Sequence, residues 1–448
     1  MIIPLVRGAL PLGEIADILH TEIPPSCRHA TPSRLVTDSR EIQHGDLFCA
    51  LIGNHDGHRY TEEAAERGAV AILAEQKTNA QAPHILVPSV RLALSDWAIA
   101  VSKGKEPLRI GITGSVGKTT VKDALAAMLS VRFSVHATYG NYNNDLGLPF
   151  TILSAPHDCQ MLVCELGINH PQEMSLLSRT LRPHISLITC IGHAHIGAFG
   201  NREEIAAEKR EILRYAEAKG RVYVPITEPL LFMLPPRGIR REGIAPFDAY
   251  TCKKYGLSFS EEDIPRNLAY AFSSAVGKAC GLSEKEITEG LLRISALNTH
   301  RKEYPINEIR IIEDCYNASP ESTMAALCLL SKKQNGRRVA VLGDMLELGE
   351  RSDAFHHAIG RFAAKHADLL FFFGRFAQAY ADGAKAGGAH PLEAQGTPPP
   401  HYFVLPDSKQ EAATQITIRL IPNDCILFKA SRALKTEELI DGIKDALL

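Results

Sequence analysis

The sequence has no excess of either charge. Its 49 lysines and arginines face 51 aspartates and glutamates, for a formal net charge of -2. Nucleic-acid binding needs a basic patch or stripe to meet phosphates, so this balance argues against a nucleic-acid partner. A solvating acidic tail is missing as well. Long apolar runs are also missing: no stretch of about 18 uninterrupted apolar residues is present, which argues against a membrane-spanning helix. The start, MIIPLVRGALPLGEIADILH, breaks its apolar residues with Arg7, Pro11 and Glu14, and no small-residue cleavage site follows. It does not read as a signal peptide. None of the ten cysteines stands in a C-x-x-C pair, and several sit inside apolar strand-like runs such as MLVCELG, SLITCIG and CILFKAS. That is the usage of small buried hydrophobes in a reducing compartment. Short-period repeats and long low-complexity stretches are absent too. These absences leave a cytoplasmic chain with no membrane insertion.

What is present is length and a regular alternation of elements. The 448 residues are 45% hydrophobic, enough for roughly two to four domains. Polar stretches at Lys103 to Pro107 and at Asn298 to Pro305 suggest three, covering 1–104, 105–302 and 303–448. The expected fold is α/β throughout. It comprises a small α/β N-terminal domain, a central P-loop ATPase-type parallel sheet and a C-terminal Rossmann-like, doubly wound domain. The central runs MLVCELG and ISLITCIG are apolar without alternation, as strands covered on both faces are. The last segment alternates EIRIIEDC, ESTMAALCLLSKK, RRVAVLGDM and SDAFHHAIGRFAAKH, a βαβα rhythm. Residues 384–400 (AKAGGAHPLEAQGTPPP) read as a surface loop.

Between the strand and helix of RIGITGSVGKTTVKDALAAMLS lies a phosphate loop. In Gly114-Ser115-Val116-Gly117-Lys118-Thr119-Thr120, backbone N–H groups are placed to cradle phosphates and Lys118 to reach the β/γ oxygens. The Thr119 hydroxyl is placed for Mg²⁺. The strict pattern fails at one position, where Ile112 stands for the first glycine, and Gly111 and Gly114 supply the flexibility. An ordinary glycine-rich turn is the competing reading, and the flanking strand, the helix and GKTT count against it. Glu165 ends the buried run MLVCE; a carboxylate at the end of a parallel strand beside such a loop is suited to a Mg²⁺ ion. Lys209, in IAAEKREIL, is by composition a solvated residue. By the same standard His193 is a polar loop residue, and Asn143 and Asn144 belong to an NNDLG turn.

Together, TDSREIQHGDLFCALIGNHDGH, GITGSVGKTTVK, GNYNNDLGLPFTIL, ELGINHPQEM, HIGAFGNREEIAAEKREI, DCYNASPESTMAAL, VLGDMLELGERS and KASR resemble the Mur ligase family over essentially the whole chain. The resemblance implies an ATP-dependent amide ligase working through an acyl phosphate, with ATP and Mg²⁺. Within the family it points to addition of D-alanyl-D-alanine to UDP-N-acetylmuramoyl-tripeptide, in cytoplasmic peptidoglycan precursor synthesis by a monomer. It implies that Thr119, Glu165, His195 and a CO₂-carbamylated Lys209 hold Mg²⁺. Asn143 and Asn144 would lie near the reacting phosphate and the acceptor carboxylate. Asn267 would meet the adenine and Arg301 the ATP phosphates, while Asp314, Tyr316 and Asn317 would face the nucleotide. Lys429, Ser431 and Arg432 would form a basic cluster for an anionic substrate, and Asp38, Ser39 and Arg40 would contact the uridine nucleotide. Asp344 and His356 match a further family stretch, His356 with a structural reading open.

Three departures stand out. Ala430 replaces the glycine of K-G-S-R, the histidine usual beside the adenine asparagine is absent, and the stretch from Lys209 to Asn267 is short. The alternatives are a sibling ligase adding another amino acid, a P-loop ATPase driving a partner, and a catalytically silent binding protein.

Overall fold

The computed structural model describes every residue except 54, 103–106, 233–237, 262, 298–300, 334–335, 393–397 and 448. Most of the first expected boundary, and the start of the second, therefore lie outside the described residues. Three sheets follow one another along the chain.

The first sheet orders its strands Ile2–Pro4, Arg34–Val36, Leu47–Cys49, Ala71–Ala74 and His84–Leu86. Only the Ile2–Pro4 pairing is antiparallel. The helix Val90–Val101 covers one face. Ser89 caps it by accepting the Leu92 N–H, and Trp97 is fully buried. This unit is joined to the next through backbone: Val6 and Gly8 donate to the Leu153 carbonyl and Arg7 donates to that of Ala155. One apolar cluster runs through both units and on into the third.

The second sheet is wholly parallel, in the order Arg240–Ile244, Arg221–Pro225, Ile185–Ile188, Leu108–Thr113, Met161–Glu165, Val135–Ala137. Its central strands are buried along nearly their whole length, which is why they read as unbroken apolar runs. The short stretch between Lys209 and Asn267 supplies the last two parallel strands on one side of this sheet, with Arg240–Ile244 at the edge.

The third sheet runs Lys302–Ile306, Ile309–Asp314, Cys425–Lys429, Arg338–Leu342, Leu369–Phe372, His401–Val404, His390–Pro391. The later part of the polar stretch at the second expected boundary belongs to the antiparallel edge strand Lys302–Ile306, where Pro305 is tolerated at the rim. One expectation needs correction. Residues 384–400 are not simply a loop: the helix Ala377–Ala386 extends into them, and His390–Pro391 pairs with the strand His401–Val404.

The helices Ser352–Ala363 and Ala377–Ala386 cross at bare backbone. A methyl on Gly360 would lie 2.0 Å from the Tyr380 carbonyl oxygen, and one on Gly383 would lie 1.9 Å from that of His357. In an exposed helix Gly→Ala gains about 1 kcal/mol. Here overpacking against rigid backbone reverses the sign, and Gly360→Ala is expected to cost about 1–3 kcal/mol. A lowered thermal midpoint by calorimetry checks this.

Candidate active site

The phosphate loop sits on the strand Leu108–Thr113 and opens the helix Lys118–Leu129. Its two glycines are obligatory. Gly114 has φ +149° and Gly117 has φ +84°, and a methyl on Gly114 would lie 1.9 Å from the Thr189 Oγ1. The neighbouring strand end supports the loop: Thr189 Oγ1 donates to the Val116 carbonyl at 2.5 Å, and the Ser115 N–H donates to the Cys190 carbonyl at 3.0 Å. The Lys118 ammonium folds back onto its own loop and donates to the Gly114 carbonyl at 2.8 Å. Thr119 and Thr120 follow in the first helical turn, partly exposed.

Glu165 is buried at the next strand's end. The Thr138 Oγ1 accepts its N–H at 3.1 Å, and one of its carboxylate oxygens accepts the Asn143 Nδ2–H at 2.8 Å. Its other oxygen is buried with no hydrogen-bond partner. A buried carboxylate oxygen left without a donor is costly unless a cation comes to it. Asn144, by contrast, uses its side-chain oxygen on the N–H of Gly147 at 2.9 Å, turning the chain into the helix Gly147–Leu153.

Lys209 is only 1% exposed. The reading of it as a solvated residue is wrong, because Ile205, Ala206, Lys209, Ile212 and Leu213 form one buried stripe. Burial, reinforced by the positive charge of Lys118, lowers its pKa from 10.5 to about 7. Glu208 offsets this in part, but its carboxylate accepts the N–H groups of Gln172 and Met174. Burial also pushes the Cys190 thiol up.

His195 follows the strand Ile185–Ile188 with φ +65°, and its Nδ1 lies 2.6 Å from a Glu347 oxygen of the third domain, at a poor hydrogen-bonding angle. His193 is more than a polar loop residue. Its N–H donates to Glu321 at 2.9 Å, and its Nδ1 lies 2.5 Å from the same oxygen. Tyr316 reaches the same region: burial raises its phenol pKa, and the Glu165 carboxylate adds to the rise. The third domain thus brings Tyr316, Glu321 and Glu347 against the second domain's loops. Local sequence gave no sign of these two glutamate pairings, because each joins residues far apart in the chain.

The other expected residues are distributed around this centre. Asn267 is buried, and its Nδ2 donates to the Ser260 carbonyl at 2.8 Å. Arg301 is half-buried at the entry to the third sheet. Lys429 is buried, paired with Asp314 at 2.9 Å and donating to the Asn317 carbonyl at 2.8 Å. Ser431 accepts the Leu346 N–H at 2.9 Å, so only Arg432 of that cluster is exposed, paired with Glu437. Ala430 is fully buried, outside the left-handed region, with its methyl facing the bare Gly343. The glycine it replaces is therefore not required for backbone conformation. Asp344 accepts the N–H groups of Arg375 and Phe376, and the His356 ring accepts the Met345 N–H, so both are structural. In the first domain Asp38 accepts the Arg40 N–H and pairs with its guanidinium, which holds the carboxyl at about 2. Ser39 donates to Glu63 at 2.6 Å.

Three family models match the chain: the Mur ligase family, catalytic domain over residues 33–102, the Mur ligase middle domain over 112–235 and the Mur ligase, glutamate ligase domain over 299–432. The chain belongs to the Mur ligase family. Among Mur ligases it is 31% identical to the UDP-N-acetylmuramoyl-tripeptide–D-alanyl-D-alanine ligase of Bacillus subtilis, across 92% of this chain and 93% of that one. It is 30% identical to the Synechocystis ligase of the same name, across 90% of each. The MurF crystal structure from Acinetobacter baumannii superposes with a TM-score of 0.83 at 25% identity, covering 98% of this chain and 100% of that one. The Thermotoga maritima MurF ligase in complex with ADP gives 0.77 at 27% identity, covering 92% and 97%. No helix among the described residues is long and apolar enough to cross a membrane.

Proposed function

We propose that this Mur ligase uses ATP to join D-alanyl-D-alanine to UDP-N-acetylmuramoyl-tripeptide, acting as a monomer in the cytoplasm during peptidoglycan precursor synthesis. The observations that support the reading are two buried groups at the phosphate loop: Lys209, which senses the Lys118 charge, and Glu165, which ends the strand beside the loop strand. An amine with a pKa of about 7 is substantially neutral at working pH, and only the neutral amine adds to CO₂. The Nζ–C bond forms, a proton leaves, and the cation becomes a carbamate anion. Among the described residues no three His, Cys, Asp or Glu side chains cluster to hold a metal. The carbamate would supply the missing oxygen donor.

The residues fit Mg²⁺ on the unpartnered Glu165 oxygen and on this donor chemistry. Thr119, Glu165, His195 and the Lys209 carbamate would hold the ion, which when bound neutralises phosphate charge. Gly114 to Thr120 cradle the ATP phosphates, with Lys118 on the γ-phosphate. Asn267 meets the adenine, Arg301 the phosphates, and Asp314, Tyr316 and Asn317 the nucleotide face of the closed third domain. Asp38, Ser39 and Arg40 take the uridine nucleotide. Asn143 and Asn144 would lie near the reacting phosphate, and Arg432, the exposed member of its cluster, would meet the anionic substrate with Lys429 and Ser431 buried behind it. An oxygen of the tripeptide carboxylate attacks the γ-phosphorus and ADP leaves. The dipeptide amine then attacks the acyl carbon, inorganic phosphate departs with the C–O electron pair, and the ammonium proton passes to solvent. Positioning and charge stabilisation carry such phosphoryl transfers, and domain closure shields the acyl phosphate from water.

The test is ADP formation with each substrate omitted in turn, with the product weighed by mass spectrometry. ADP formation that needs both substrates, with a mass gain of one dipeptide, is the expected result. ATP turnover indifferent to both would leave a P-loop ATPase.

A further inference from the structure

The third domain touches the phosphate site through two histidine–glutamate pairs. Glu347 places a carboxylate oxygen 2.6 Å from the His195 Nδ1, while its backbone carbonyl accepts the Gly197 N–H at 3.0 Å. Glu321 accepts the His193 N–H at 2.9 Å. Between these pairs the two loops meet backbone to backbone, since a methyl on Gly197 would lie 2.6 Å from the Gly349 nitrogen. Both members of the first pair are left-handed non-glycine residues, Glu347 at φ +68° and His195 at φ +65°. Such residues persist where the surroundings over-determine them, and they cluster at functional sites.

We infer that Glu347 is a positioning residue, which orients the His195 ring only when the third domain is docked, so that closure itself completes the phosphate site. The inference rests on the proposed ligase reading. At 2.6 Å the Glu347 carboxylate confines the His195 ring by contact and charge, and a small rotation of the ring would bring its Nδ1 into line for the hydrogen bond that fixes the direction of the other nitrogen. Here that carboxylate arrives from another domain, so the arrangement exists in the closed form alone. Glu321 serves the same docking from the neighbouring helix.

Glu347→Gly is the decisive variant. Glycine takes a positive φ without strain, so the change removes the carboxylate and relieves the backbone at once. The expected result is a kcat for ligation about 10–100-fold lower, with the KM for ATP little changed and the thermal midpoint not lowered. An independent readout uses the metal-free, nucleotide-free protein, with dyes at the exposed positions Tyr250 and Ile418. Energy transfer between the second and third domains should fall in Glu347→Gly and recover largely in Glu347→Gln. A Glu347→Gly protein that ligates at the wild-type rate with unchanged transfer would overturn the inference, as would a loss of rate explained by a lowered thermal midpoint. Wild-type protein that does not ligate would overturn the function instead, and the energy-transfer comparison would still decide the docking role.

Discussion

Lys209→Met is expected to cut ligation severely and, in CO₂-depleted buffer at pH 7, to raise the thermal stability of the protein. Lys209 is buried and its pKa falls from 10.5 to about 7. Between those values the unfolded chain binds a proton that the folded chain does not, so stability rises with pH across the window. The cost of burying the lysine is therefore fully present below about pH 7 and gone above about 10.5. At pH 7 it amounts to on the order of 4 kcal/mol. Methionine fills similar space without a charge and should recover most of that. The loss of ligation should reach about 10²-fold or more, the scale of removing one electrostatic stabiliser. Calorimetry at pH 7 and pH 10.5 reads the first effect, with the gain vanishing at the higher pH. A methionine variant that is less stable at pH 7, or that ligates within about tenfold of the wild-type rate, would contradict the assignment. The same shift bears on carbamylation. A lysine at its ordinary value is about 0.03% neutral at pH 7, whereas Lys209 is about half neutral, roughly a thousandfold gain in reactive amine.

Lys118→Ala is the second large effect. Its ammonium donates to the Gly114 carbonyl of its own loop and stays partly exposed, so the fold does not depend on it. Ligation should fall by about 10²–10³-fold through lost stabilisation of the transferring phosphoryl group. A second consequence separates this from simple loss of a phosphate contact. The Lys118 charge is one of the causes lowering the Lys209 pKa, so its removal should move the pH profile of carbamate formation upward. Carbon-13 NMR of protein in labelled bicarbonate, titrated from pH 6 to 9, follows this directly. An unmoved profile would mean that the two ammonium groups do not sense each other.

The phosphate loop and Glu165 were legible because local pattern determines them: strand, glycine-bearing turn and helix for one, a carboxylate ending a buried strand for the other. Lys209 was legible in principle. Its place on the Ile205–Lys209–Ile212 stripe is plain in the helical period, but its charge argued for solvent and only the family resemblance overrode that. The contacts of Glu321 with His193 and of Glu347 with His195 were not legible, since tertiary packing alone brings them together. The compensation at Ala430 was hidden for the same reason, as it depends on the bare Gly343 across the strands. The short strand His390–Pro391 was lost in a glycine- and proline-rich stretch whose composition reads as loop.

The central claim is that a carboxylate is activated as an acyl phosphate. The most direct measurement uses tripeptide substrate labelled with ¹⁸O in its acceptor carboxylate, supplied with ATP and D-alanyl-D-alanine, and weighs the inorganic phosphate released. Transfer of one labelled oxygen to each phosphate, matched by one new amide, is the predicted result. Unlabelled phosphate would mean that water, and not the carboxylate, takes the phosphoryl group, and would contradict the account.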